Sequence, residues 1–352
     1  MNIAALRLYA QKLSQTELTS PAEVVAHMGA MQAQDFAMSK WAVGLRLPGS
    51  IEKDMDEALG RGSIIRTHVL RPTWHLLAAE DLGWMLGLTA QNIKALMKAR
   101  LKELELTPEV LKKSTGIFEK ALKNDQHLAR EELMGLLLRA GIQSNENRSS
   151  HLLMWAELEG LICSGAPKGN KHTYALTGER ITGKAVSLSR EEALGKLAER
   201  YFKSHGPATL ADFTWWSGLS IKDARNAVES VKGKFLSETV GEQTYLLTEK
   251  TAGQTVITTG TLLLPAFDEL IISYRDRTAI LTKEEHAKAI SSNGLFRPVI
   301  LVNGKVKGLW KRTVKKEKVF IETELFGKLT AKENKELEEA REAFGKFLGK
   351  SL

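Results

Sequence analysis

The spacing of apolar and polar positions changes period several times along the chain, and the changes recur in the same order. In "DQHLAREELMGLLLRAGI", Leu133, Leu136, Leu137 and Ala140 fall at helical spacing, and Gly141 supplies a stop. "SNENRSSHLLMWAELEGLI" opens a second helix, with Ser149 or Ser150 as N-cap and Leu152, Leu153, Ala156 and Leu158 on its buried side. After Gly160 the period shortens. "LICSGAPKGNKHTYALT" reads as two short strands around a turn of Gly, Pro and Lys. Helix, turn, helix and hairpin make the winged-helix layout, a helix-turn-helix variant.

Residues 191–248 repeat it. "EEALGKLAERYFKSHG", "TLADFTWWSGL" capped by Thr209, and "SIKDARNAVESV" capped by Ser220 predict three helices. "KFLSETVGEQTYLLT" predicts a hairpin whose last strand echoes the earlier "HTYALT". The N-terminal stretch fits a third copy. Ser20 and Pro21 open the helix "AEVVAHMGAM", and "MSKWAVGLRLPG" and "IEKDMDEALGRG" predict two more. "SIIRTHVLRPTWHLL" then predicts a hairpin turning near Arg71 and Pro72. The last hundred residues differ. "QTVITTGTLLLPAFDELIISYRDR", "RPVILVNGKVKGLWKR" and "EKVFIETELFG" are strand-rich, "NGK" is a hairpin signal, and "LTAKENKELEEAREAFGKFLGK" is a closing helix. The expected fold is α+β and mainly α. Winged-helix units over residues 1–90, 91–185 and 186–250 precede a small β-barrel or sheet with a closing helix over 251–352.

The 352 residues carry a formal charge of +8, a balance that favours polyanions and nucleic acid first. A lone cysteine, Cys163, excludes a disulfide framework and a cysteine metal cluster. No histidine pair has metal-ligand spacing on one helix, and no Gly-rich phosphate loop occurs. Neither a metal nor a cofactor is expected. "MNIAALRLYAQKL" is broken by Arg7, Gln11 and Lys12, so it reads as an amphipathic helix rather than a signal peptide. No apolar run approaches the roughly 20 residues of a membrane span. The expectation is a monomeric, cytoplasmic, nucleoid-associated protein.

Two segments raise questions of chemistry. "KVKGLWKRTVKKEK" gathers Lys305, Lys307, Lys311, Arg312, Lys315 and Lys316 around Trp310. Phosphate contact is one reading, and a solvated hairpin face is the other. In "MGAMQAQDF", Gln32 and Gln34 close an apolar helix. Within a helix, i and i+2 diverge, whereas in extended chain they share a face. The pair therefore acts together only if the helix has ended by about Met31. Otherwise Gln32 decorates a helix end and Gln34 is solvated. The adjacent Trp215 and Trp216 suggest one core and one partly exposed indole.

"GAMQAQD", "RTHVLRPTWHLL", "LLPAFDELIISYRDR" and "VILVNGKVKGLWKR" together resemble, in order, the blocks of the bacterial winged-helix DNA glycosylases related to AlkZ and YcaQ. The resemblance runs from about residue 5 to residue 345. It implies tandem winged helices with a C-terminal β-barrel, and excision of bulky alkylated purines from double-stranded DNA. It covers adducts at nitrogen 7 and, in some members, unhooking of interstrand crosslinks. The catalytic motif is Gln-x-Gln in the AlkZ branch and Gln-x-Asp in the YcaQ branch. Gln32-Ala33-Gln34 matches the first, and Asp35 falls one position late for the second. Thr73 and His75 fall in the "T-x-H-L" block and become lesion-pocket candidates, with His68, Asp35 and Tyr274 beside them. Trp74 stands where the family more often has an aliphatic residue. Arg71 is a phosphate contact or a turn residue. Asp268, Tyr274, Asp276 and Arg277 match the third block, where ion pairs that stabilise the barrel are an alternative role. No lysine stands out as a Schiff-base nucleophile, so the implied enzyme is a monofunctional glycosylase. The competing class is a non-enzymatic winged-helix regulator, which a footprint at a defined operator would mark.

Overall fold

The computed structural model describes residues 1–169, 171–181, 188–254 and 260–352. The first strand expected in "QTVITTG" falls largely at 255–259, and the boundary expected between 185 and 186 falls at 182–187. Both lie outside the described residues. Helices make up nearly half of the chain, and strands form small antiparallel sheets. The chain divides into two compact units, residues 1–55 with 194–352 and residues 56–193. The first unit is thus discontinuous in sequence, and its division runs across the segments 1–90 and 186–250.

In the discontinuous unit, helix Ile3–Ala10 precedes helix Pro21–Met28. Ser20 caps the second by accepting from Glu23 N–H, and Pro21 occupies the first turn where its missing N–H costs nothing. His27 Nε2 donates to Ala10 O at 2.7 Å and ties the two helices together. Helix Phe36–Gly44 follows. The unit resumes at Leu194 within helix Arg190–His205, followed by helices Leu210–Ser217 and Ile221–Val231 and the hairpin Leu236–Val240 with Gln243–Leu247. Trp216 is fully buried and Trp215 is 42% exposed.

Among the described residues the C-terminal strands form a four-stranded antiparallel sheet. Its order is Val319–Leu325, Lys305–Val314, Val299–Val302, Thr261–Leu264. Asn303 and Gly304, at φ +48 and +78, make the two-residue turn between the central strands. Both positions need the left-handed region, which Asn-Gly supplies cheaply. Strand alternation gives the sheet two apolar faces. Leu264, Val299, Leu301 and Val306 meet Leu8, Ile271 and Ile280 on one. Leu263, Ile300, Val302 and Trp310 meet Trp41, Phe344 and Phe347 on the other. The Trp41 and Trp310 indole N–H groups donate to the carbonyls of Leu263 and Leu264 at 2.8 and 2.7 Å, so the rings bury without an orphaned donor. Helix Ala331–Leu348 closes this second face, with a Thr330–Glu333 capping box.

The unit over residues 56–193 holds helices Leu82–Glu103, Pro108–Leu122, Arg130–Arg139 and Glu146–Leu158. It also holds the hairpin Ile64–His68 with Trp74–Ala78, and a sheet in the order Leu128–Ala129, Thr173–Leu176, Ile162–Ser164. Helix Glu146–Leu158 starts earlier than expected, with Asn145 as its N-cap residue. Ser149 and Ser150 instead accept from the Arg130 guanidinium.

Two predictions follow from the packing of the discontinuous unit. A methyl group at Gly44 would come within 2.6 Å of the buried Phe347 ring. Gly44→Ala should therefore cost about 1–3 kcal/mol, read as a lower denaturant midpoint at unchanged slope. Burial pushes the His27 pKa down from 6.5 to about 4. The unfolded chain thus takes up that proton first. The neutral ring's contribution is complete above pH 6.5 and drains as pH falls toward 4. Stability should fall by roughly 2–3 kcal/mol across that window through this group, and His27→Gln should flatten the profile there.

Candidate functional site

The helix Pro21–Met28 ends before the two glutamines. Gly29, at φ +80, breaks it, and a Cβ there would be strained as well as 3.5 Å from Arg200 Cβ. Met31–Gln32 is a short strand, and the next helix begins at Phe36. Gln32 and Gln34 are therefore outside any helix. Met31 and Ala33 are both at 0% exposure, Gln32 is at 5%, and Gln34 is exposed. Asp35 serves the following helix. Its Oδ1 accepts from Met38 N–H at 3.0 Å as an N-cap, and it lies 3.8 Å from Arg312 Nη2.

Beneath this turn lies a buried carboxylate. Glu269, 2% exposed, accepts the Gln32 backbone N–H on Oε1 at 2.5 Å. Its Oε2 accepts Trp216 Nε1 at 3.2 Å and the Ser273 hydroxyl, and His205 Nε2 stands 3.6 Å away. Burial works to raise the Glu269 pKa, but the neighbouring His205 ring and the hydrogen bonds from Ser273 and the Gln32 N–H outweigh it and hold the carboxyl at about 2. Burial pushes the His205 pKa down, against the pull of Glu269. The negative charge of the pair resides on Glu269. These four side chains went unnoticed in the sequence as a group. Their one signal was an acidic residue opening the apolar run "ELII" within a block of resemblance.

Tyr274 is wholly buried nearby and lines no open surface. Its hydroxyl donates to His205 O at 2.8 Å and accepts from Gln11 Nε2 at 3.0 Å. Gln11 in turn accepts from Arg46, which grips Asp268 through two bonds of 2.9 and 3.0 Å. The Arg7 guanidinium lies 3.6 Å from the Tyr274 ring centroid and pairs with Asp212 at 3.3 Å. Each buried charge here has an opposite partner, as burial requires.

The basic segment splits by strand alternation. Lys311 is exposed and pairs with Glu322 at 2.9 Å, whereas Arg312 turns to the other face, beside Asp35. Lys305 Nζ donates to Ala279 O at 2.6 Å, and Lys315 lies 5.1 Å from the Phe320 ring centroid. Lys307 and Lys316 are exposed.

The remaining candidates belong to the other compact unit. Thr73 and Arg71 are half-buried at the hairpin turn, and His75 is buried. His75 Nδ1 donates to Thr73 O at 2.9 Å, which fixes its tautomer. His68 pairs with the buried Glu157, whose pKa burial raises. Trp74 packs against His68 at 4.1 Å between ring centroids and lies 4.0 Å from the Arg66 guanidinium carbon. His172, its pKa pushed down to about 3 by burial, closes the cluster. Among the described residues no group of three His, Cys, Asp or Glu side chains could hold a metal. No described helix is long and apolar enough to cross a membrane.

Comparison with known proteins bears on this arrangement. The chain is 25% identical over 329 residues to an interstrand DNA cross-link repair glycosylase of Streptomyces sahachiroi, covering 88% of this chain and 86% of that protein. Its fold is similar to the solved structure of the Streptomyces sahachiroi DNA glycosylase AlkZ, with a TM-score of 0.80 at 20% identity over 99% of this chain and 97% of that one. The family model described as DNA glycosylase AlkZ-like matches residues 25–347, a span that begins before Gln32 and ends within the closing helix. The chain belongs to the AlkZ-like DNA glycosylase family.

Proposed function

We propose that this DNA glycosylase hydrolyses the N-glycosidic bond of bulky or cationic alkylated purines in double-stranded DNA, with Gln32 and Gln34 holding the attacking water. Adducts at nitrogen 7 come first, and interstrand crosslinks are included. The observation that carries the reading is the release of Gln32-Ala33-Gln34 from the helix. Once the helix has ended the chain is extended at Met31–Gln32, and an extended course is what lets residues i and i+2 face one space, as the pair must to hold one water. The relative's role in interstrand cross-link repair supports the substrate class.

An alkylated purine is already cationic and leaves with little acid assistance. The sugar develops oxocarbenium character and needs a water on the face opposite the departing base. An amide is a poor base, but its carbonyl accepts a hydrogen bond and orients the water's lone pair. Two amides fix it from two directions. Asp35, drawn to its helix N-terminus and Arg312, leaves this task to the glutamines. Lys40, a neighbour of this turn in sequence, pairs with Glu52 at 3.2 Å, which suits hydrolysis rather than a Schiff-base lyase step. The helix–helix–hairpin segments serve as winged-helix modules that hold the duplex. The protein acts as a monomer, without metal or cofactor, and the exposed hairpin lysines meet phosphates.

Purified protein should release an N7-alkylguanine from a duplex and leave an alkali-labile abasic site that does not nick spontaneously. No release from small and bulky adducts under single-turnover conditions would sink the reading. Gln34→Ala should slow release by at least about tenfold at nearly unchanged DNA affinity. Lys307→Ala and Lys316→Ala should each lower the slope of log affinity against log salt by about one, measured by anisotropy titration across sodium chloride concentrations. Unaltered slopes would remove those lysines from the interface.

A further inference from the structure

We propose that Glu269 is a positioning residue for excision: gripped by Ser273, Trp216 and His205, its carboxylate holds the main chain of Gln32 and so aims the glutamine pair. The assignment rests on the water-holding reading of Gln32 and Gln34.

Gln32 ends a two-residue strand at the edge of a small sheet, so each contact on its main chain bears on where its side chain points. Met31–Gln32 lies between a glycine break and a new helix, so no helical ladder sets its backbone. Beyond its place in a sheet, its main chain is held from far along the chain, 237 residues away, by Glu269 Oε1, which accepts the Gln32 N–H. The acceptor is ionised and buried, and a hydrogen bond to a charged acceptor is shorter and stronger than a neutral one. The acceptor is itself immobilised. Ser273 and Trp216 donate to its other oxygen, and His205 stands beside it. Trp216 also lies against the Gly29 break, 3.8 Å from where a Cβ would stand, and Arg200 donates to Ala26 O at 2.6 Å. The turn is thus braced at the helix end and at the strand.

Glu269 touches neither substrate nor water in this scheme. Its effect on rate passes through Gln32, because placing a reacting group within an ångström depends on the residues that lock its backbone. A water held slightly off line reacts slowly even when DNA binds normally.

The test compares Glu269→Gln and Ser273→Ala with the parent protein in single-turnover excision over a range of enzyme concentrations, with thermal unfolding in parallel. Glu269→Gln keeps the shape but faces Ser273 and Trp216 with a neutral group. It should lower the maximal rate at least about tenfold while the half-saturating concentration stays within about twofold. Ser273→Ala removes one oxygen and keeps the carboxylate, so it remains informative if Glu269→Gln fails to fold. It should lower the maximal rate about threefold or more, again without weakening DNA binding. Parental maximal rates in folded Ser273→Ala or Glu269→Gln would overturn the assignment. So would losses of rate and affinity in equal measure alongside a lower melting temperature, the mark of a merely structural role. Gln32→Ala and Gln34→Ala are run beside them. If these two retain parental rates, the water-holding reading fails. If they are slow while the Glu269 and Ser273 variants are fast, the positioning role alone fails.

Discussion

The carboxylate of Glu269 lies buried among donors from the Gln32 strand, the Trp216 helix and its own helix end at Ser273, with the His205 ring beside it. A buried charge of this kind is tolerated when hydrogen bonds replace the water it has lost. The arrangement is therefore close to all-or-none. Each donor that satisfies Glu269 is drawn to one point, and the segments bearing the donors are drawn together. Around that point the Arg46–Asp268 and Arg7–Asp212 pairs repeat the device. Polar interactions thereby set the register of a unit whose remaining faces are held by non-directional apolar packing.

Local chemistry was readable from sequence wherever it acts over a few residues. The Asn303–Gly304 turn and the Ser20, Thr209 and Ser220 caps stand where their residue types imply, whereas the helix expected to run to Met31 ends at Met28, before Gly29 at φ +80. The helix carrying Ser149 begins earlier, with Asn145 at the N-cap position, and both serines accept from the Arg130 guanidinium. Arg312 sits among lysines in sequence, yet strand alternation sends it to the opposite face, beside Asp35. Tyr274 could be noticed in a block of resemblance, but not its double hydrogen bond, since its partners come from residues 11 and 205. Glu269 was invisible as a site residue for the same reason. Sequence spacing holds no record of contacts across more than two hundred residues.

The candidate chemistry suits a leaving group that carries its own positive charge. A carboxylate beside the developing oxocarbenium ion would add attraction and basicity, but it would also attract the cationic base before it departs. Two amides provide orientation without that attraction. Asp35, the nearest carboxylate in sequence, is turned to a helix N-terminus and an arginine, where its charge is offset.

The division of the chain also orders its synthesis. Trp41 lies a few residues after the glutamine pair, and its ring is covered by Phe344 and Phe347. On a ribosome, the segment bearing Gln32 and Gln34 emerges early and waits for a helix made some three hundred residues later. Residues 56–193 form a continuous unit and can fold in the interval. A nascent chain therefore presents Trp41 and the sheet face that receives it as apolar surface, a target for chaperones, until residues 331–348 arrive. The turn bearing the two glutamines is therefore complete only when the chain nearly is.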